Sequence, residues 1–369
     1  MRSVTSFGST TRSLSLLHRP VRLCQACCAR FNSQYRQESQ WSWKWIPISG
    51  GIAFLAALQL LRTIRRENKS ANSMVTQPET WQLTLFRLLP ARMLSRLWGG
   101  INSKELPTWL RRPVLGLYVW AFGCDMTEAQ VENLSMYSNL IELFTRQLKP
   151  GVRDVSKYHQ LVCPSDGKVL HFGRVEKDGR LEQVKGVTYE LHKFLGPHNA
   201  LNDYESSQTE LFHVIIYLAP GDYHHFHSPA DWTVTKRRHF PGELLTVAPW
   251  AAKAMPGLFS LNERAVLIGR WKHGYFSMAA VGAFNVGSIQ LALDKALQTN
   301  KKGRYKMGEY RDKELSELAL AKGDRVGGFN LGSSIVLVFE APKHFQFSVK
   351  PGQKIYYGQP LGTILNKDN

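Results

Sequence analysis

The chain has 369 residues, of which 43% are hydrophobic and 21% are charged. This composition excludes global disorder, a collagen-like repeat and a disulfide-framework protein, and the length predicts two domains or one large domain with appendages. The formal charge of +18 would suit a nucleic-acid-binding protein, but residues 1–66 hold nine Arg, one Lys and a single acid, for a net +9. The much longer remainder carries only the other +9, so its charge does not indicate nucleic acid as a partner.

Residues 1–40 have the composition of a mitochondrial transit peptide. Before Glu38 there are six Arg, no acid and a scatter of Ser and Thr, which is typical of such targeting segments. A secretory signal would need an early apolar region, and none precedes residue 46. A disordered basic tail is the alternative interpretation.

The next segment, residues 41–66, predicts a single transmembrane helix. Its apolar run over residues 46–61 falls short of a hydrocarbon core about 30 Å thick at about 1.5 Å per residue. Three Trp before the run and three Arg after it can supply interfacial ends that make up the difference. A buried core helix is the alternative, and similar numbers of basic residues on the two sides do not orient the helix.

Residues 67–125 contain a polar linker and a basic segment. WQLTLFRLLPARMLSRLWGGINSK, over residues 81–104, has Arg among Leu, Phe, Met and Trp and no acid. Pro90 divides it into two short helical pieces. The pattern suits a helix lying on an anionic bilayer surface, and equally an amphipathic helix packed on a protein core.

Residues 126–369 form the predicted catalytic domain. TEAQVENLSMYSNLIELFTRQL predicts a helix that begins at an N-cap, Thr127. From residue 162 onward the sequence is typical of β-strands, with turn residues every eight to twelve positions. Clear strands are predicted at 212–220, 264–271, 276–293 and 334–342. Because helices do not alternate regularly with strands, we expect an α+β fold with a compact, mostly antiparallel β-rich domain, not a doubly wound parallel sheet.

Three motifs of this domain could carry chemistry, although each alone has a simpler interpretation. Asp166 in CPSDGKV is an Asp-Gly turn. YHHFHSP, over residues 223–229, places three His in four residues, which could bind a metal but lacks further ligands at a known spacing. Ser333 in FNLGSSIVLVFE precedes an apolar strand, unlike the nucleophile of a GxSxG elbow, which precedes a helix. No dinucleotide or P-loop motif accompanies them.

In this order and with these flanking residues, the three motifs resemble those of the phosphatidylserine decarboxylase family, specifically its mitochondrial branch. The matching text, spread between about residues 86 and 362, is PSDGKV, LAPGDYHHFHSP, FPGELLTVAPW, NERAVLIGRW, VGAFNVGSI and GGFNLGSSIVLVFE. Two positions depart from the usual pattern of the family. Ser334 stands where many members have Thr, and His225 stands where many have another residue, so we give His225 no role.

The resemblance implies a proenzyme that cuts its own chain between Gly332 and Ser333, into a β chain of residues 1–332 and an α chain of residues 333–369. Ser333 attacks the preceding carbonyl and becomes a covalent pyruvoyl group, which is the cofactor; no metal is expected. By the same match, Asp166 orients an imidazole and His227 is the base that activates the Ser hydroxyl.

The resemblance also implies the reaction and its surroundings. The amine of phosphatidylserine forms a Schiff base with the pyruvoyl carbonyl, which accepts electrons as CO₂ leaves, and phosphatidylethanolamine is released. His224 is the candidate acid that protonates the resulting carbanion. The partners are then the lipid substrate, the two chains of one precursor and the mitochondrial inner membrane, with the catalytic domain in the intermembrane space; whether a homodimer forms is left open.

Two other functions fit the same residues. A membrane-tethered lipid hydrolase could use Asp166, His227 and Ser333 without cutting itself, and it would remain one chain that reacts with fluorophosphonates. A non-catalytic lipid-binding module would need none of the three residues.

Overall fold

The computed structural model describes residues 91–176, 179–184, 187–197, 208–284, 288–303, 305–330 and 333–364. They belong to one compact unit, Ile64–Asn369. The predicted transit peptide, the predicted transmembrane helix and Gly332 lie outside the described residues. Among the helices that are described, none combines the length and the apolar character needed to cross a bilayer.

The helices in the described part of the chain are short and peripheral. They are α1 (Ala91–Asn102), α2 (Thr108–Phe122), α3 (Leu140–Phe144), α4 (Leu191–Leu195), α5 (Pro249–Ala254) and α6 (Leu258–Leu261), with a 3₁₀ turn at Leu134–Met136. The sequence predicted a helical piece after Pro90, and α1 begins there. α2 was not predicted from the sequence. Its C-cap residue, Gly123, has the left-handed conformation that favours glycine at a helix C-terminus.

The helix predicted to begin at Thr127 is wrong. Thr127 bonds back to the Asp125 carboxylate through both its amide and its hydroxyl, which closes a local turn instead of opening a helix. Further on, the side chains of Asn133 and Asn139 accept bonds from amides two and three residues later. Each therefore starts a new short helical turn, and the apolar residues of the segment pack against α2 without forming one continuous helix.

Sixteen strands make up the described sheets. They are β1 (Leu161–Val162), β2 (Gly167–Arg174), β3 (Arg180–Val184), β4 (Val187–Glu190), β5 (Thr209–Leu218), β6 (His225–His227), β7 (Trp232–Phe240), β8 (Arg264–Trp271), β9 (Gly274–Gly282), β10 (Ile289–Leu291), β11 (Arg311–Leu320), β12 (Arg325–Phe329), β13 (Ser333–Pro342), β14 (Phe345–Phe347), β15 (Lys354–Ile355) and β16 (Pro360–Ile364). The four strands predicted from apolar runs are confirmed, with the run 276–293 divided between β9 and β10.

An eight-stranded sheet forms the centre, in the order β11-β7-β8-β9-β13-β5-β2-β15. Two three-stranded sheets, β10-β12-β6 and β1-β16-β14, and the hairpin β3-β4 accompany it. All described pairings between these strands are antiparallel. The α+β class with a mostly antiparallel domain is therefore confirmed.

The middle of the central sheet, around β13, is buried on both faces. Along β13, Ile335 and Leu337 point into a core shared with the two three-stranded sheets. The alternate residues, Val336 and Val338, point into a second core that α4, α5 and α6 cover. This double burial explains why β13 is an unbroken apolar run, and it gives the residue at its start, Ser333, a rigid support.

Candidate active site

The three motifs meet at one edge of the central sheet. β2 begins directly after Asp166, β5 ends at Leu218 before the loop of residues 219–224, and β13 begins at Ser333. These strands are neighbours in the order β2-β5-β13, and Ser333 is paired with Leu218. With about 4.8 Å between neighbouring strands, the backbones at Asp166 and Ser333 are roughly 10 Å apart.

The Asp166 carboxylate is buried in an ionic cluster. It is 3% exposed and accepts bonds from the Arg153 guanidinium, the shortest at 2.7 Å, and from the Tyr357 amide at 2.9 Å. The same guanidinium also binds Glu128 through two nitrogens, at 2.9 and 2.7 Å. Arg153 thus holds the carboxylate in one orientation with a fork of charged hydrogen bonds.

His227 lies beside this cluster, at the end of β6. Its Nδ1 donates to the Gly323 carbonyl at 2.9 Å, which leaves a lone pair on Nε2; the Tyr223 hydroxyl is 3.3 Å from that atom. The ring stacks on Tyr357, with centroids 4.0 Å apart. Burial lowers the pKa of His227, although its bond to the Gly323 carbonyl opposes the shift. The imidazole is therefore neutral near neutral pH, with Nε2 as its basic atom.

His224 lies on the other side of the same segment and is fully buried. Its Nδ1 donates to the Asp222 carbonyl at 2.8 Å, and its ring contacts Phe144 at 3.9 Å between centroids. Its Nε2 has no hydrogen-bond partner among the described residues. Burial lowers the pKa of His224 to about 3, so this ring is also neutral and presents a free lone pair.

The middle histidine of the motif, His225, is held by other protein groups. Its Nε2 is 2.9 Å from the Thr145 carbonyl, and its Nδ1 is 2.9 Å from an Arg325 nitrogen. Within the described ranges, no group of three or more His, Cys, Asp or Glu side chains is arranged to hold a metal ion.

Ser333 is fully buried, and its hydroxyl has no hydrogen-bond partner among the described residues. The hydroxyl of the next residue, Ser334, is in the same condition. In β13, Ser333 is flanked by Leu218 of β5 on one side and by Gly282 of β9 on the other.

The structure brings the predicted residues to one region without joining them in a hydrogen-bonded chain. The Asp166 carboxylate is bonded to Arg153 and the Tyr357 amide, whereas the His227 ring is bonded to Gly323 and Tyr223. Asp166 still acts on His227 through space, since its charge is among the influences that raise the pKa of the ring. Tyr357 connects the two, because its amide binds the carboxylate and its side chain stacks on the imidazole.

Four residues of this arrangement were not predicted from the sequence, namely Glu128, Arg153, Tyr223 and Tyr357. Tyr223 is part of the YHHFHSP motif, so its nearness to His227 could have been found from the two-residue period of an extended segment. The others come from distant parts of the chain, and no local spacing indicates them.

Comparisons with known proteins agree with these observations. The family model described as phosphatidylserine decarboxylase matches residues 140–363. A relative from Cricetulus griseus, named phosphatidylserine decarboxylase proenzyme, mitochondrial, is 51% identical over 306 residues, covering 77% of this chain and 74% of that protein. Relatives named proenzyme 1, mitochondrial, are 40% identical in Schizosaccharomyces pombe (77% and 83% covered) and 34% identical in Saccharomyces cerevisiae (93% and 87% covered). The chain belongs to the phosphatidylserine decarboxylase family.

Proposed function

We propose that this chain is a phosphatidylserine decarboxylase proenzyme that cuts itself between Gly332 and Ser333 and then converts phosphatidylserine to phosphatidylethanolamine and CO₂. The observation that carries the proposal is the Ser333 hydroxyl, which is fully buried at the start of a rigid strand and has no partner among the described residues. Buried hydroxyls are normally hydrogen-bonded, so an orphaned one is free to react. The Ser334 hydroxyl shares this condition, and the resemblance of the segment to the self-cleavage motif of the family selects Ser333. The proenzyme names of the relatives support the same function.

Self-cleavage requires no external reagent except water. The Ser333 Oγ attacks the Gly332 carbonyl carbon, the peptide C–N bond breaks, and the acyl group moves to oxygen as an ester. Loss of the Ser333 Cα proton then breaks the Cβ–Oγ bond, which releases the upstream chain as a carboxylate and leaves dehydroalanine. Addition of water and loss of ammonia convert this residue to a pyruvoyl group.

We assign the base for the first step to His227. Its Nε2 carries a lone pair, and burial keeps the ring neutral at neutral pH, so it can accept the hydroxyl proton. The Tyr223 contact to this atom is long, at 3.3 Å, and is therefore readily exchanged. In this proposal Asp166 is a positioning residue: its negative charge favours the imidazolium as it forms, and Arg153 holds that carboxylate in place.

The residues at the strand start fit a pyruvoyl group. Ser333 leaves an unfilled polar position there, and His224 presents a second orphaned atom, Nε2, from the loop that follows β5. When formed, the pyruvoyl carbonyl supplies an electron sink for the pair left behind by CO₂. Replacing a carboxylate by hydrogen consumes one proton, which comes from water; we assign its transfer to His224, whose Nε2 lone pair first accepts that proton and then delivers it.

Two serine variants test the proposal. Ser333→Ala lacks the attacking oxygen, so it should remain one chain and show no decarboxylation. Ser334→Ala is the matched control: it removes an equally buried hydroxyl one residue later and should still yield two chains. Denaturing gels and release of CO₂ from phosphatidylserine measure both results. Two chains with full turnover in Ser333→Ala would exclude the pyruvoyl function.

The parent protein and the serine variants also distinguish a pyruvoyl decarboxylase from a lipid hydrolase. A hydrolase keeps its serine hydroxyl and should be labelled by a fluorophosphonate, whereas the two-chain protein has lost that hydroxyl and should not react. Labelling of Ser333 in an uncut, active parent protein would favour the hydrolase.

We further propose that α1 and α2 contact the membrane surface. α1 exposes Met93, Leu97 and Ile101, which lie four residues apart on one side of the helix, and α2 exposes Trp109 and Trp120. These apolar side chains adjoin the acid-free basic segment, a combination that suits an anionic phospholipid surface. A lipid substrate requires such an approach.

The N-terminal segments complete this proposal. A transit peptide over residues 1–40 and a single span within residues 41–66 would anchor the protein in the mitochondrial inner membrane, with residues 67–369 in the intermembrane space. Protease added to mitochondria with ruptured outer membranes should then degrade the catalytic domain. Protection until the inner membrane is opened would contradict this orientation.

A further inference from the structure

Arg146 is a buried guanidinium whose hydrogen-bonding capacity is mostly unused. The residue follows α3 by two positions and is 5% exposed. Its Nη2 donates to the Gly221 carbonyl at 2.8 Å, but its Nε and Nη1 are buried without a partner among the described residues. Burial of a charged group without compensating partners is costly. A bound anion that accepts hydrogen bonds from the free nitrogens would offset this cost.

The nearest acidic side chain of the same loop does not supply it. Asp222 follows Gly221 directly, but its carboxylate accepts from the Ala219 amide at 2.8 Å and lies 3.5 Å from the Lys354 ammonium. The guanidinium therefore anchors the loop through one N–H of Nη2 and keeps its other four N–H donors, three of them on Nε and Nη1, for another group.

The position of Arg146 relates it to the candidate active site. The segment of residues 144–147 runs beside the loop that carries His224: the Phe144 ring contacts the His224 ring, and Arg146 binds Gly221 three residues earlier. The orphaned donors of Arg146 and the orphaned Nε2 of His224 thus flank one short loop. That loop leaves β5 next to Ser333.

We propose that Arg146 binds an oxyanion of the phospholipid headgroup, which makes it a substrate-binding residue of this site; the inference rests on the proposed decarboxylase function. Phosphatidylserine offers two such groups, the phosphodiester and the carboxylate. The phosphodiester is the favoured one, because a cation paired with the carboxylate would stabilise the substrate more than the transition state for loss of CO₂. Arginine can also give a phosphate two parallel bonds; here Nη1 or Nε would pair with the second N–H of Nη2, since Nε and Nη1 point in different directions.

The test uses the detergent-solubilised full chain after self-cleavage, with Arg146→Gln and Arg146→Lys. Calorimetry measures binding of dihexanoyl phosphatidylethanolamine, which carries the phosphodiester but no carboxylate, and kinetics give KM and kcat for phosphatidylserine. We expect Arg146→Gln to cut normally, to bind the ethanolamine lipid about 10–100-fold more weakly and to raise KM similarly. Its kcat should change little. Arg146→Lys should be intermediate, because it keeps the charge but loses the fork.

Arg174→Gln is the matched control. Arg174 also donates to a backbone carbonyl, that of Lys343, but it ends β2 on the side away from Asp166, so this variant should bind like the parent. A raised KM with unchanged binding of the ethanolamine lipid would assign the oxyanion to the carboxylate. If Arg146→Gln binds the ethanolamine lipid as tightly as the parent and has the parental KM, the proposal is wrong. If Arg146→Gln fails to fold or to cut itself, Arg146→Lys decides the question: parental lipid binding by that variant would also overturn the proposal. Lipid binding is measured without turnover, so a failure of the Arg146 proposal can be told apart from a failure of the decarboxylase proposal. The latter is tested by self-cleavage and CO₂ release in the parent protein.

Discussion

His224 and His227 lie three residues apart but have contrasting environments. The His227 ring has both nitrogens within hydrogen-bond distance of other groups and stacks on Tyr357, next to the ionic cluster of Asp166 and Arg153. The His224 ring lies on the other side, against Phe144, with one nitrogen bonded and the other free. One short motif therefore provides two imidazoles with separate surroundings, and separate surroundings allow separate roles in self-cleavage and decarboxylation.

The largest expected effect concerns the side of His227. His227→Ala removes the proposed base and Asp166→Ala removes the charge that favours its protonated form, so both should accumulate as the uncut chain and show no turnover. Cleavage should slow by about 10²–10⁴-fold, the usual contribution of a positioned base. Time courses on denaturing gels measure it. His225→Ala is the control and should cut, since His225 has no assigned role; normal cleavage of His227→Ala would contradict the assignment.

His224→Ala should impair decarboxylation without impairing self-cleavage. It leaves the self-cleavage residues intact and should yield two chains and a pyruvoyl group, but turnover should fall by about 10²–10⁴-fold for want of the proton donor. Borohydride trapping of substrate on the cleaved variant distinguishes lost chemistry from lost binding. If His224→Ala stays uncut while His227→Ala cuts, the two roles are exchanged.

Arg153→Gln tests whether the orientation of the Asp166 carboxylate matters for self-cleavage. Loss of charged hydrogen bonds worth about 1.5–3 kcal/mol should free the carboxylate and slow cleavage by about 10–100-fold. Arg153→Lys should recover part of the rate. Turnover per cleaved molecule should match the parent, because Arg153 has no part in the later reaction; equal losses in both steps would indicate a general structural defect.

The pH dependence should have opposite signs for the two steps. Burial lowers the pKa of His227, so its basic form persists on acidification and cleavage should hold until the pH falls below about 6.5, the ordinary value. His224 must be protonated to donate, and with a pKa of about 3 its protonated fraction rises about tenfold per pH unit lowered from neutrality. Single-turnover decarboxylation by already cleaved protein should therefore speed up as the pH falls. Parallel profiles would remove the distinction between the two rings.

Long apolar strands and the motif residues could be predicted from the sequence, for different reasons. β8 and β13 are buried on both faces, so their composition alone indicates strands. Asp166, His224, His227 and Ser333 were predicted as site residues because six ordered sequence blocks resemble one family. β11 was missed because it is a largely exposed edge strand with a charged sequence, RDKELSELAL, and no apolar period.

The remaining features depend on contacts between distant segments. The false helix at Thr127 had suitable spacing, but local side-chain bonds at Asn133 and Asn139 divide it. That helix would also have placed Arg146 on an ordinary helical surface, whereas the folded chain buries it against Gly221. Likewise, Arg153 acquires its importance only when folding brings Glu128 and Asp166 to its two sides.

An intact mass measurement of the purified protein under denaturing conditions shows whether Ser333 has become a pyruvoyl group. If Ser333 becomes a pyruvoyl group, the spectrum should contain a C-terminal fragment of residues 333–369 whose N-terminal residue bears a ketone in place of the serine amine and hydroxyl. This fragment should resist N-terminal sequencing. A single uncut chain in active protein, or a fragment that begins with an unmodified serine, would contradict the account.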